Sequence, residues 1–325
     1  MRTFKEYLDQ IRPGINDRIK LIAEKKISDP DILPMLLRGK RIRAGLLLLV
    51  FDAVSDKDQD RSCALDLACA VELAHSASLI LDDMLDEDTE RRGLTTLHLT
   101  RGHKKAMLDT IDVLSIPYDI VAQYGESYVR MLAETQRGMV SGIIKELFHR
   151  PDLPAIKLYD AIITRKTGKL FSLATAWGYL IRSDGCNPVS DGTCMYRKDT
   201  ISFAEYGLRC GKVMQIADDI ADLEQVIEGK KISGFGSELL LLECMNIDRP
   251  VKEALLHRKS LSPHLSRIKQ LWSHEDVQRT ISSILDKEII RSRGIISSID
   301  VLYIEYKKVL LDAPSGIADM IIREG

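Results

Sequence analysis

The chain has 325 residues, with 46 Lys+Arg against 48 Asp+Glu, so its formal charge is −2; 45% of residues are hydrophobic and 29% are charged. That composition excludes intrinsic disorder and supplies material for a sizeable core, while near-neutral charge argues against a nucleic-acid partner. Six cysteines without a CxxC pair indicate neither a zinc ribbon nor a disulfide framework, and point to a reducing, cytoplasmic setting.

The N-terminus, MRTFKEYLDQ, is charged from its second residue and does not read as a signal peptide. No apolar run reaches the roughly 18 residues of a membrane span, so any membrane contact is expected to be peripheral. Apolar residues recur at i, i+3, i+4 and i+7, and prolines fall in short breaks between such stretches. The pattern predicts helices at roughly 3–26, 33–54, 61–87, 103–114, 118–149, 155–182, 200–227, 238–257, 276–292, 296–311 and 315–323. Aromatic residues make up only 6%, and no segment alternates cleanly, which argues against strands. The most loop-like stretch, SDGCNPVSDGTC (183–194), is too short to link domains. The expectation is a single all-α domain over residues 1–325, with long apolar helices.

Two segments break the amphipathic pattern. HSASLILDDMLDEDTERRG (75–93) starts as apolar helix and ends in Asp82, Asp83 and Asp86; GKVMQIADDIADLE (211–224) repeats the construction with Asp218, Asp219 and Asp222. Residues four apart share a helical face, so Asp82 meets Asp86 and Asp218 meets Asp222. Like charges about 4 Å apart repel by about 4 kcal/mol at an effective dielectric near 20. One acidic run can simply end a helix at the solvent; two identical clusters on separate apolar helices point to divalent cations. Mg2+ takes oxygen ligands and often combines one or two carboxylates with substrate phosphates.

Such a site needs cationic partners for its anionic ligand. GKRIRAG supplies Lys40, Arg41 and Arg43, Arg91 and Arg92 follow the first cluster, Lys166 and Thr167 lie in RKTGKLF, and Lys230 and Lys231 follow the second cluster. Arginine offers phosphate a bidentate fork and lysine a point charge. Lys231 reads as a solvated surface charge. His75, two turns before Asp82 on the same face as Ser78, reads as a phosphate donor rather than a core histidine.

Together, GKRIR, ELAHSASLILDDMLDEDTERRG, KTGKLF and GKVMQIADDIAD resemble, in order and spacing, the motifs of the trans-isoprenyl (polyprenyl) diphosphate synthases. The resemblance runs from about residue 36 to 231. It implies the isoprenoid synthase fold, a helical bundle around a central apolar cavity. It further implies head-to-tail condensation of isopentenyl diphosphate with an allylic diphosphate (dimethylallyl, geranyl or farnesyl), in a homodimer. By the same resemblance, Asp82, Asp83, Asp86, Asp218, Asp219 and Asp222 hold three Mg2+ ions, for which Mn2+ can substitute. Lys40, Arg43, His75 and Arg92 resemble the isopentenyl diphosphate pocket. Arg91, Lys166, Thr167, Gln215 and Lys230 resemble the allylic diphosphate contacts, and Asp82, Asp86, Lys166 and Asp218 the catalytic set. Departures from the family pattern are Ala44 for a proline, Leu81 for a histidine, Thr110–Ile111 for Gly-Asp, Ile143 for glutamine, Met214 for phenylalanine and Leu240 for lysine.

Other readings of the same residues are a class I terpene cyclase, a head-to-head synthase, a non-catalytic regulatory subunit of a heteromeric synthase, and a phosphohydrolase. The DDIAD form of the second motif and the presence of Lys40, Arg43 and His75 favour elongation. For product length, the residues below Asp82 on its helix are Ser78, Ala77, Ala74 and Ala70, where short-chain family members carry bulky aromatics four or five residues before the motif. These small residues either line an open tunnel, giving C20 or longer products, or let helices pack closely. Tyr118 or Tyr124 would be the plugs of such a tunnel.

Overall fold

The computed structural model describes residues 2–56, 59–149, 155–184, 198–228, 235–243, 249–256, 262–300 and 302–323. In chain order the helices are α1 (Phe4–Lys26), α2 (Leu33–Leu36), α3 (Ile42–Val54), α4 (Ser62–Leu85), α5 (Leu97–Arg101), α6 (His103–Val121), α7 (Glu126–Phe148) and α8 (Ala155–Ile163). There follow α9 (Lys169–Asp184), α10 (Lys198–Ile227), α11 (Phe235–Leu242), α12 (Arg249–Leu256), α13 (Leu265–Trp272), α14 (Glu275–Ser297) and α15 (Ile304–Ile322). Among the described residues the only sheet is a two-residue ribbon, β1 (Glu90–Arg91) against β2 (Leu94–Thr95), antiparallel with Glu90 opposite Thr95. The all-α expectation is met.

Local chemistry sets the boundaries. Thr3 Oγ1 accepts from the Glu6 N–H at 3.2 Å while Glu6 Oε2 accepts from the Thr3 N–H at 2.8 Å, a reciprocal cap that starts α1. The helix expected over 33–54 is interrupted, because Gly39 and Arg41 take positive φ values of 141° and 60° and α3 restarts after them. The break expected before 118 does not occur. Pro117 lies inside α6, whose chain turns only at Gly125, with φ 105°. A mid-helix proline costs about 3 kcal/mol. Burying Val113, Ile116, Ile120 and Val121 outweighs that, at about 1.5–3 kcal/mol each. Pro314 is carried inside α15 in the same way. The predicted 155–182 helix is real but widens to π geometry at Thr164–Gly168. The 238–257 helix is instead α11 and α12, and residues 244–248 between them lie outside the described residues.

The chain divides into two compact units: residues 1–134, 173–204 and 300–309 form one, and 135–172, 205–299 and 310–325 the other. In the first, α3 is apolar all round and therefore buried all round; Ala44 to Val50 are closed to solvent. It is flanked by α1, which buries Phe4, Tyr7, Leu8, Ile15 and Ile19, and by α4. By length and composition α4 could cross a membrane, but most of it is buried within protein, as a core helix is. Cys69 and Cys210 are buried free thiols, while Cys63 at the start of α4 is disulfide-bonded, a pairing that the cysteine spacing did not indicate.

In the second unit, α10 packs with α8 and α14 through a charged cluster. Lys212, 4% exposed, pairs with Asp160 and, at 3.5 Å, with Glu288, which also accepts from Arg209 at 2.8 Å. Leu240, where the family carries a lysine, is fully buried in α11. That position serves packing here.

Candidate active site

The first unit holds the N-terminal motifs. At GKRIR the two positive-φ residues turn the chain so that α3 starts at Ile42, with Lys40 half-buried and Arg43 buried beside it. Gly39 is required twice over. Its φ is unsuited to an L side chain, and an added Cβ would lie 2.7 Å from Arg92 Nη1. Arg92 in turn donates to the Arg38 carbonyl, and Arg38 donates back to the Arg92 carbonyl at 2.8 Å. Arg41 is a pillar of this turn. Its buried guanidinium donates to the Leu36 carbonyl (2.6 Å) and Asn16 Oδ1 (2.8 Å), and pairs with Glu72 Oε2 (3.4 Å). The other Glu72 oxygen accepts from the Ala44 N–H at 3.1 Å, in the first turn of α3. Thus the proline absent at position 44 is replaced by a donor, which ties α3 to α4 through Glu72.

His75, one turn after Glu72, is half-buried. Burial, and then the positive charges of Arg43, Arg92, Arg41 and Arg91, pull its imidazole well below the ordinary range, so it is neutral at pH 7. A concentration of cations around a neutral histidine is a place for an anion.

At the C-terminal end of α4 the aspartates divide. Asp82 is half-buried and Asp86 exposed, while Asp83 is only 3% exposed. Arg91 Nε donates to Asp83 Oδ1 at 2.6 Å and its Nη2 to Asp88 Oδ2 at 2.7 Å, so β1 is pinned under the helix. Asp83 is raised by burial and drawn back down by Arg91. The outward pair sits in the last helical turn, where the helix dipole is negative and carboxylates are disfavoured by about 0.3–1 kcal/mol. A cation bound there would relieve both repulsions.

The second unit repeats the division on α10. Asp218 is exposed and Asp222 half-buried, whereas Asp219 is 6% exposed. Tyr159 on α8 donates to Asp219 Oδ2 at 2.6 Å, and Gln215 Nε2 donates to Oδ1 at 3.3 Å. Thr167, in the π turn, donates to Gln215 Oε1 at 2.6 Å. Burial pushes the Asp219 carboxyl up to about 8, against the pull of the Tyr159 hydrogen bond. Lys166 Nζ donates to Glu146 Oε2 on α7 at 2.6 Å. The retained Gly142 allows this approach, since a Cβ there would stand 2.5 Å from the Lys166 backbone nitrogen. Lys230 lies outside the described residues.

Among the described residues no three acidic, histidine or cysteine side chains form a ready-made metal cage. Paired carboxylate oxygens still fit a hard cation, because Mg2+ completes its shell with water and substrate phosphate. Of the proposed chain-length residues, Ala74 and Ala77 are buried in α4, and Ser78 Oγ donates to the His75 carbonyl at 2.8 Å. Tyr124 donates to Asp66 Oδ2 at 3.2 Å, near the start of α4.

Glu72, Tyr159 and Glu146 carry no obvious mark in the sequence. Glu72 had the one available signal, a lone carboxylate inside the apolar run LACAVELAHSASLIL.

A family model described as polyprenyl synthetase matches residues 31–234. The chain is 30% identical over 235 residues to a geranylfarnesyl diphosphate synthase of Methanosarcina mazei, covering 71% of this chain and 73% of that one. It is 31% identical over 252 residues to a geranylgeranyl diphosphate synthase of Pantoea ananas, with 71% and 76% covered. The crystal structure of a Caulobacter crescentus polyprenyl synthase complexed with calcium and isoprenyl diphosphate shares the fold, with TM-score 0.78, 21% identity, and 99% and 98% coverage. The chain belongs to the polyprenyl synthetase family.

Proposed function

We propose that this chain is a trans-prenyltransferase that condenses isopentenyl diphosphate with an allylic diphosphate to give an all-trans product of C20 or longer. The observation that carries the reading is the arrangement shared by both clusters. The outer carboxylates, Asp82 with Asp86 and Asp218 with Asp222, lie on the more exposed helical face, while the residue between is turned inward and held by Arg91 or Tyr159. The outer pairs hold Mg2+, three ions in all, with Mn2+ as an effective substitute. When bound, Mg2+ neutralises the allylic diphosphate and lets it leave.

The side chains then have separate tasks. Lys40, Arg43, His75 and Arg92 bind the diphosphate of isopentenyl diphosphate; Arg91, Lys166, Thr167, Gln215 and Lys230 serve the allylic diphosphate. The allylic C1–O bond breaks and its electron pair departs with diphosphate. The isopentenyl double bond forms the new bond to C1, and a proton lost from C2 passes to the released diphosphate. Apolar walls keep water from quenching the cation. Because Arg92 and Lys166 serve different diphosphates, Arg92→Ala should raise KM mainly for isopentenyl diphosphate and Lys166→Ala mainly for the allylic substrate. Steady-state kinetics check this, and two mutants that shift the same KM would refute the division.

The relatives' names support a C20 or longer product. So do Ser78 and Ala77, which place no aromatic ring four and five residues before Asp82. From Asp82 to Asp66, where Tyr124 docks, α4 runs about 24 Å at 1.5 Å rise per residue. Ala77→Phe should shift the product to C15 or shorter, with diphosphate binding retained; an unchanged product distribution would assign the stripe to packing. The chain is read as one domain, because each compact unit is assembled from three separate stretches. It is read as a homodimer, supported by Met107, Leu108 and Ile111 exposed along α6. Incubation with Mg2+, isopentenyl diphosphate and each of dimethylallyl, geranyl and farnesyl diphosphate tests the function. Elongation is expected; cyclisation, phosphate release or no turnover would each overturn it.

A further inference from the structure

The second aspartate cluster contains a side-chain relay with one member, Tyr159, to which the proposed reaction gives no task. Tyr159 is 1% exposed, and its hydroxyl reaches Asp219 Oδ2 at 2.6 Å from a different helix. The opposite oxygen of Asp219 takes the longer 3.3 Å bond from Gln215, itself fixed by Thr167 at 2.6 Å. Three elements of one compact unit, α8, the π turn and α10, are therefore joined at a single buried carboxylate.

On a helix, adjacent residues point about 100° apart. The direction in which Asp219 is held therefore sets the direction of Asp218 and Asp222. We infer that Tyr159 is a positioning residue that fixes the rotation of α10 through Asp219, and so presents Asp218 and Asp222 to the metal. The inference rests on the reading of that pair as metal-bearing. Without the hydroxyl, Asp219 loses the shorter of these two hydrogen bonds and is held less firmly, which widens the spread of geometries the metal must select from.

The test is direct Mn2+ binding, followed by electron paramagnetic resonance with inorganic diphosphate present. It compares wild type, Tyr159→Phe, Asp219→Ala and the double variant, with melting curves and steady-state kinetics. Tyr159→Phe should bind Mn2+ about tenfold more weakly and lose a similar factor in kcat, with KM for isopentenyl diphosphate little changed and Tm modestly lowered, because a buried carboxylate loses a donor. If the hydroxyl acts through Asp219, it should cost nothing further in metal affinity in the Asp219→Ala background. Unchanged Mn2+ binding in Tyr159→Phe would overturn the inference, and so would an undiminished loss on the Asp219→Ala background. A lowered Tm with metal affinity intact would assign Tyr159 to packing and reject the positioning role. A wild-type chain that binds no Mn2+ beside diphosphate would instead remove the metal reading on which the inference stands.

Discussion

Asp82→Ala and Asp218→Ala should each lower turnover about 1,000-fold or more, since each removes charge stabilisation at the leaving diphosphate. Tm should stay close to that of wild type. Asp82 is half-buried and Asp218 exposed, and neither lies in the packed interior that Asp83 and Asp219 occupy. The inward pair offers the contrast. Asp83→Ala leaves Arg91 without its 2.6 Å partner, and Asp219→Ala leaves a buried tyrosine hydroxyl unmet, so both should lower Tm as well as activity. Turnover and thermal melting measured on the four variants separate the two classes. Near-normal turnover in a folded Asp82→Ala protein would remove the metal assignment.

Glu72→Ala should be the most destabilising single change near the site. The carboxylate is 2% exposed, pairs with a fully enclosed Arg41 guanidinium and caps the first turn of α3 through Ala44. Removing one partner of a buried ion pair costs about 3–5 kcal/mol because the other is left charged and unmatched. For a chain of this size that corresponds to a fall in Tm on the order of 10 °C. The turn that presents Lys40 and Arg43 would loosen with it, so KM for isopentenyl diphosphate should rise. Glu72→Gln keeps an acceptor for the Ala44 N–H and should lie between. Calorimetry showing Glu72→Ala within a degree or two of wild type would contradict the pillar role of Arg41.

The fold class and the aspartate clusters are legible because both rest on local pattern. Helical periodicity survives in every long segment, and an i, i+4 carboxylate pair on an apolar helix conflicts with burial visibly enough to be noticed. Pro117 and Pro314 misled because a proline's local cost is visible, while the tertiary burial that offsets it is not. The break at Gly39 to Arg41 was hidden for the converse reason: the guanidinium of Arg41, at φ 60°, is gripped by Asn16 and Glu72, 25 and 31 residues away, as well as by the nearby Leu36 carbonyl. The same limit separates Asp83 from Asp82. Adjacent letters look equivalent until Arg91 claims one of them. Tyr159 and Glu146 were unreadable, since each becomes informative only through a partner on another helix.

The most direct measurement is the stoichiometry of the reaction on farnesyl diphosphate with isopentenyl diphosphate and Mg2+, following product mass and released diphosphate together. One diphosphate released for each isopentenyl unit incorporated, a product of C20 or longer, and complete loss of both signals in excess chelator are the predicted result. Diphosphate or phosphate released from farnesyl diphosphate alone without chain growth, or elongation that persists in chelator, would contradict it.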